Sequence, residues 1–183
     1  MSPTAFETAT AVRALGANAF AAAAHPDWDT PRGPNGGVLA AIVLRAMEAA
    51  LDDPSRPPRS ITLHYLRPPY PGDFRVEVEV VRSGRTLSTL TARLVQEDRL
   101  CVMAIAAFSG PFPEALAFTR PFPDVPPASE VEPYTPLPGA PPIAHRFVMR
   151  PAVGAAPFTG ADEAVTGGWM RLHDPQALDA ATL

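Results

Sequence analysis

The sequence predicts an α+β fold in which an antiparallel sheet curls around one apolar helix. Three observations predict it. Residues 34–51, PNGGVLAAIVLRAMEAAL, read as a helix that is apolar on nearly every face, with Arg45 and Glu48 its only charges; such a helix is enclosed by protein. Residues 60–68, 73–83, 86–96 and 100–110 alternate in strand fashion, and the last three are joined by tight turns, the pattern of an antiparallel meander. The composition, 46% hydrophobic and 19% charged, is that of a chain with a packed core.

Taken in order, FETATAVRAL (6–15) and NAFAAAAHPDW (18–28) read as two short strands joined at Gly16. DTPRGPNGG (29–37) is a turn-rich approach to the helix. Asn35 is suited to the N-cap, and Asp52-Asp53-Pro54 ends the helix. Arg45 and Glu48, three apart, share a face and are expected to pair. In the next strand Ile61, Leu63 and Tyr65 alternate with Thr62, His64 and Leu66. In 73–83, Phe74, Val76, Val78 and Val80 point inward against Arg75, Glu77 and Glu79. Ser83-Gly84-Arg85 and Glu97-Asp98-Arg99 carry the turns.

Proline then takes over. Residues 111–142 hold 11 of the 24 prolines, a density that removes backbone donors and biases the chain toward extended, semi-rigid conformations. This segment is expected to link two folded pieces; a PxxP ligand is the other reading of it. Residues 144–153 and 163–174 look like strands again, and DPQALDAATL (174–183) holds two helix starts, at Asp174-Pro175 and at Asp179. The expected organisation is a first unit over 1–110, a linker over 111–142, and over 143–183 the beginning of a second, truncated copy of the first unit.

Composition also excludes classes of function. A net charge of -4 with no basic run gives no reason to expect nucleic acid or an anionic membrane as partner. No stretch reaches the ~18 apolar residues of a membrane span. The single cysteine, Cys101, rules out an internal disulfide and suits a reducing compartment, so a cytoplasmic protein is expected. No HxxH, CxxC or HExxH spacing occurs, and there is no GxSxG elbow or phosphate-binding glycine loop. Neither a metal nor a cofactor is expected.

A sheet wrapped around one long apolar helix is the arrangement called the hotdog fold. The sequence resembles one family with that fold, the double-hotdog acyl-CoA thioesterases. The resemblance rests on Trp28 ahead of PNGGVLAAIVL, on SITLHYLRPPYPGDFRVEVEVVRSGRTLSTLTARLVQ, on a closing strand ending in AAFSG, and on GGWMRL after the linker. It implies hydrolysis of a fatty acyl-CoA thioester by an activated water in a cleft between two hotdog units. It also implies self-association or pairing with a second unit. In that family an Asp, a Thr or Ser and a Gln of the second unit carry the catalysis, and no position of this sequence matches them. The alternative is a non-catalytic hotdog module that binds acyl groups or forms an interface. A hydratase-type hotdog would call for an Asp/His pair at the helix start, where this chain has Asn35-Gly36-Gly37.

Asn35-Gly36-Gly37 is the leading candidate for carbonyl binding. Glycines there let a ligand approach the backbone, and free amides with the helix dipole favour a developing oxyanion. The same residues also make an ordinary capped turn. Trp28 is a candidate wall of an acyl pocket or simply core. His64 is a candidate base or water-orienting group, and Ser88 and its neighbour Thr89 stand where the family's other half keeps a hydroxyl. For each of these the structural reading, an interface histidine or β-forming hydroxyls, is the simpler one. Cys101 is expected to be a small buried apolar residue.

Overall fold

A computed structural model describes residues 2–112, 118–155 and 159–182. The chain opens with α1 (Ala5–Ala9), then β1 (Arg13–Gly16), β2 (Ala19–Ala24), a 3-10 turn at Pro26–Trp28, and the two-residue strands β3 (Asp29–Thr30) and β4 (Gly33–Pro34). The long helix α2 (Gly36–Leu51) follows, then β5 (Pro58–Tyr65), β6 (Gly72–Ser83), β7 (Leu87–Gln96) and β8 (Arg99–Ser109). After the proline-rich segment come a 3-10 helix at Pro142–Arg146, β9 (Phe147–Gly154) and β10 (Thr166–Leu172).

Six strands form one antiparallel sheet in the order β1-β2-β6-β7-β8-β5, and α2 lies against its inner face. This is the hotdog arrangement. The helix reads as it does because its side chains are the core: Ile42, Ala46 and Met47 are fully buried, with Val38, Leu39, Ala41, Val43 and Leu44 nearly so. Each large apolar side chain so enclosed contributes about 1.5–3 kcal/mol. Opposite them the sheet presents Phe74, Val76 and Val78 of β6, Leu90, Ala92 and Leu94 of β7, and Val102, Ala104 and Ala106 of β8. The helix ends where Asp52 adopts the left-handed conformation (φ 48°), its N–H donating to the Glu48 carbonyl. Glu97 and Asp98, both at positive φ, make the two-residue turn between β7 and β8.

The first segment differs from its sequence reading. Residues 6–15 are not one strand: Ala5–Ala9 is helical and only Arg13–Gly16 is extended. The cause is a capping box, in which the Glu7 amide donates to Thr4 Oγ1 (3.2 Å) and the Thr4 amide donates to Glu7 Oε2 (2.7 Å). The expected Arg45–Glu48 pair is not formed either. Arg45 instead donates from Nε to Thr10 Oγ1 (2.9 Å) and from Nη2 to Asp179 (3.3 Å), leaving Glu48 half-buried.

β9 and β10 pair as an antiparallel hairpin. The proline-rich segment packs across it: the Tyr134 amide donates to the Met149 carbonyl, Trp169 Nε1 donates to the Pro126 carbonyl, and Phe122 stacks on Trp169 with centroids 5.5 Å apart. The hairpin is seated on the segment ahead of α2 by an Arg146–Asp27 ion pair and by Phe147 edge-on to Trp28 at 6.0 Å. Of the two expected helix starts near the end, Asp179 Oδ1 accepts from the amides of Ala181 and Thr182, and 180–182 form a turn. No helix of the described residues is long and apolar enough to cross a membrane.

Candidate functional site

The α2 N-terminus is assembled from three parts of the chain. Asn35 is held by its amide donating to the Trp28 carbonyl (3.2 Å). Its extended backbone (φ -62°, ψ 133°) turns the side chain back over the first turn, where Oδ1 accepts from Gly37 N–H (2.8 Å) and Val38 N–H (3.2 Å). The Leu39 amide donates to the Asn35 carbonyl. Of the first-turn amides, that leaves Gly36 N–H with no acceptor among the described residues. The free amides expected from the sequence therefore narrow to a single open donor.

Tyr65, at the end of β5, closes the other side. Its hydroxyl donates to the Gly36 carbonyl (2.7 Å), and a Cβ placed on Gly36 would lie 3.3 Å from the ring. Gly36 is thus the residue that admits the tyrosine. Partial burial raises the Tyr65 pKa above the usual 10, keeping the phenol a hydrogen-bond donor. Strand alternation alone makes Tyr65 one more apolar-face residue; its position just ahead of the LRPP turn is the sequence sign that it belongs to the end of the sheet.

Trp28 is 3% exposed, edge-on to Phe6 at 5.5 Å and to Phe147, with the Arg146 guanidinium over its ring. It supports the site by holding Asn35 through its carbonyl. The other two candidates lie apart. His64 is exposed on the outer face of the sheet, opposite Met103 of β8. Ser88 is fully buried at the start of β7, accepting from Arg56 Nη1 (2.8 Å) and bonded to Ser83 Oγ (3.0 Å). Arg56 follows the C-terminal end of α2, roughly 22 Å along the helix from Gly36 at 1.5 Å per residue. Asn35, Gly36, Gly37 and Trp28 are brought together; His64 and Ser88 do not join them. Cys101 is buried in the core. Among the described residues no three His, Cys, Asp or Glu side chains gather as metal ligands would. What the arrangement can do is receive a polar oxygen on one amide at the positive end of a buried helix.

Residues 24–109 match the family model of the acyl-CoA thioesterase N-terminal domain. Among solved structures, the chain is similar to a protein of unknown function with a hotdog fold from Alicyclobacillus acidocaldarius, at 27% identity and a TM-score of 0.88, over 99% of this chain and 67% of that one. It shares its fold with the tesB protein of Mycobacterium avium subsp. paratuberculosis (18% identity, TM-score 0.73, 97% of this chain and 64% of that one). The same holds for the acyl-CoA thioesterase II TesB2 of Mycobacterium marinum (17% identity, TM-score 0.73, 97% and 64%). This chain spans about two thirds of the length of these three proteins. No functionally curated protein matches it.

Proposed function

We propose that the protein hydrolyses the thioester of a fatty acyl-CoA, a reading supported by the match of residues 24–109 to the model of the acyl-CoA thioesterase N-terminal domain. The observation that carries the proposal is the open Gly36 amide at the N-terminus of α2, inside the matched domain. The thioester oxygen is received there, and the amide with the helix dipole stabilises the negative charge that develops on it. A water oxygen bonds to the carbonyl carbon while the water gives up a proton. Collapse of the tetrahedral intermediate breaks the C–S bond, and the departing thiolate takes up a proton as free CoA. The reaction so written calls for no cofactor.

The general base is proposed to come from a second hotdog unit, of which residues 143–183 are the beginning, with 1–110 as the first unit and 111–142 as the connector. Two features support that organisation. The β9–β10 hairpin is seated on the first unit through Trp28, and Asp179 Oδ1 accepts from the amides two and three residues on, as Asn35 Oδ1 does. A second reading, a non-catalytic module that binds acyl groups, is favoured by one observation. Asn35 already occupies two of the first-turn amides, and among the described residues no titratable side chain hydrogen-bonds beside the third except Tyr65. Release of free thiol from acyl-CoAs of graded chain length separates the two. Equal amounts of thiol and fatty acid are expected when the chain is assayed together with the second hotdog unit; no thiol from any of the series even then would leave the binding module.

A further inference from the structure

We propose that Arg32 and Arg67 form a cationic rim beside the α2 N-terminus that holds the phosphates of a CoA ester, an inference that rests on the thioesterase reading above. Two loops meet there. A Cβ on Gly33 of β4 would lie 3.6 Å from Cβ of Pro68, which brings the β3–β4 hairpin against the segment after β5, and beside that contact Tyr65, the last residue of β5, covers Gly36, the first of α2. Both backbones are braced. The Arg32 amide donates to Thr30 Oγ1 (3.2 Å), whose hydroxyl donates to the Gly33 carbonyl (2.9 Å). The amides of Leu66 and Arg67 both donate to the Cys101 carbonyl (2.9 and 3.3 Å).

The side chains are another matter. Both arginines are exposed, and neither has a hydrogen-bond or ion-pair partner among the described residues; Asp29, on the same hairpin as Arg32, does not pair with it. Arg56, Arg59 and Arg146 show the contrast, each bound to carboxylates, hydroxyls or carbonyls of the chain. The sequence contains no lysine, so side-chain contacts to phosphate fall chiefly to arginine, which takes phosphate oxygens two at a time. In a CoA ester the phosphates sit at the far end of the pantetheine arm from the thioester. Arg32, four residues ahead of Gly36 in the sequence, and Arg67, two beyond Tyr65, supply the positive charge for them, and Gly36 itself is left to the carbonyl.

The test compares the full chain with Arg32→Ala/Arg67→Ala, with Arg32→Lys/Arg67→Lys, and with Arg93→Ala, an exposed arginine on the outer face of the sheet whose side chain has no hydrogen-bond or ion-pair partner among the described residues. Substrates are an acyl-CoA and the same acyl group on pantetheine, which lacks the phosphates. The double alanine variant is expected to raise KM for the acyl-CoA on the order of tenfold, with kcat within about twofold and KM for the acyl-pantetheine unchanged. It also flattens the rise of KM with salt. The lysine pair recovers part of the loss, and Arg93→Ala leaves KM where it was. An unchanged KM for the acyl-CoA, or an equal rise for both substrates, overturns the rim. If the parent chain hydrolyses no thioester, the thioesterase reading has failed, and calorimetry with CoA then judges the rim separately. Weaker CoA binding in the double variant upholds the rim, and equal binding, or none by the parent, overturns it.

Discussion

Glu48 is a side chain whose partner the sequence misassigns and whose actual surroundings change its acidity. Spacing pairs it with Arg45, but that guanidinium reaches away to Thr10, which is fully buried, and to Asp179, a residue far along the chain that no periodicity could bring into view. The carboxyl of Glu48 is raised above 4.5, first by burial and further by the charge of Asp179, against the opposing pull of Arg45. A raised carboxyl means that the folded protein binds the proton more tightly than the unfolded one. The resulting penalty is absent below 4.5, grows as pH rises through the folded value, and is constant above it. Glu48→Gln is thus expected to be more stable than the parent at neutral pH, with an advantage that fades as pH approaches 4.5. Urea midpoints across that range check it; parallel profiles, or a less stable variant at neutral pH, would contradict it.

Elements are legible in the sequence where one physical signal dominates. The alternation of β6 to β8 gives strands within a residue or so of those found, because one face of each is packed on α2. The helix is legible because Asn35 caps it and its apolar residues surround the axis. α1 is hidden although Thr4-x-x-Glu7 is a capping-box signature, since threonine alternation across 6–15 suggests a strand. Ser88 attracts a chemical role through its hydroxyl alone; it is a structural partner of Arg56, which also bonds Asp53 (3.0 Å) and the Gly84 carbonyl (2.8 Å). That arginine clasps the β6–β7 turn to the end of α2. Arg56→Ala is expected to cost about 2 kcal/mol in urea denaturation, since it removes several charge-assisted bonds, one of them to the buried Ser88 hydroxyl. A cost below about 0.5 kcal/mol would mean that the clasp is only surface decoration.

At the scale of the whole molecule, the hotdog arrangement is readable in outline and the way its parts are joined is not. The proline-rich segment is bonded across the β9–β10 hairpin, and the hairpin meets the residues ahead of α2 through Arg146 on Asp27 and Phe147 on Trp28, contacts between residues more than a hundred positions apart. The candidate site is half legible for the same reason: Asn35 and the glycines lie together in the sequence, while Tyr65 arrives from another strand. In the proposed reaction the Gly36 amide receives the thioester oxygen. Gly36 is the first residue of α2, where proline fits the helix and replaces the N–H with a ring carbon, and Asn35 already has the backbone that precedes a proline. Alanine at the same position retains the N–H and sets its Cβ against the same tyrosine ring, so it serves as the control. The decisive measurement is kcat for thiol release from an acyl-CoA by Gly36→Pro and Gly36→Ala in the full chain. A loss of about 10²–10³ is predicted in the proline variant and only a few-fold change in the alanine variant; equal rates in the two would contradict the claim.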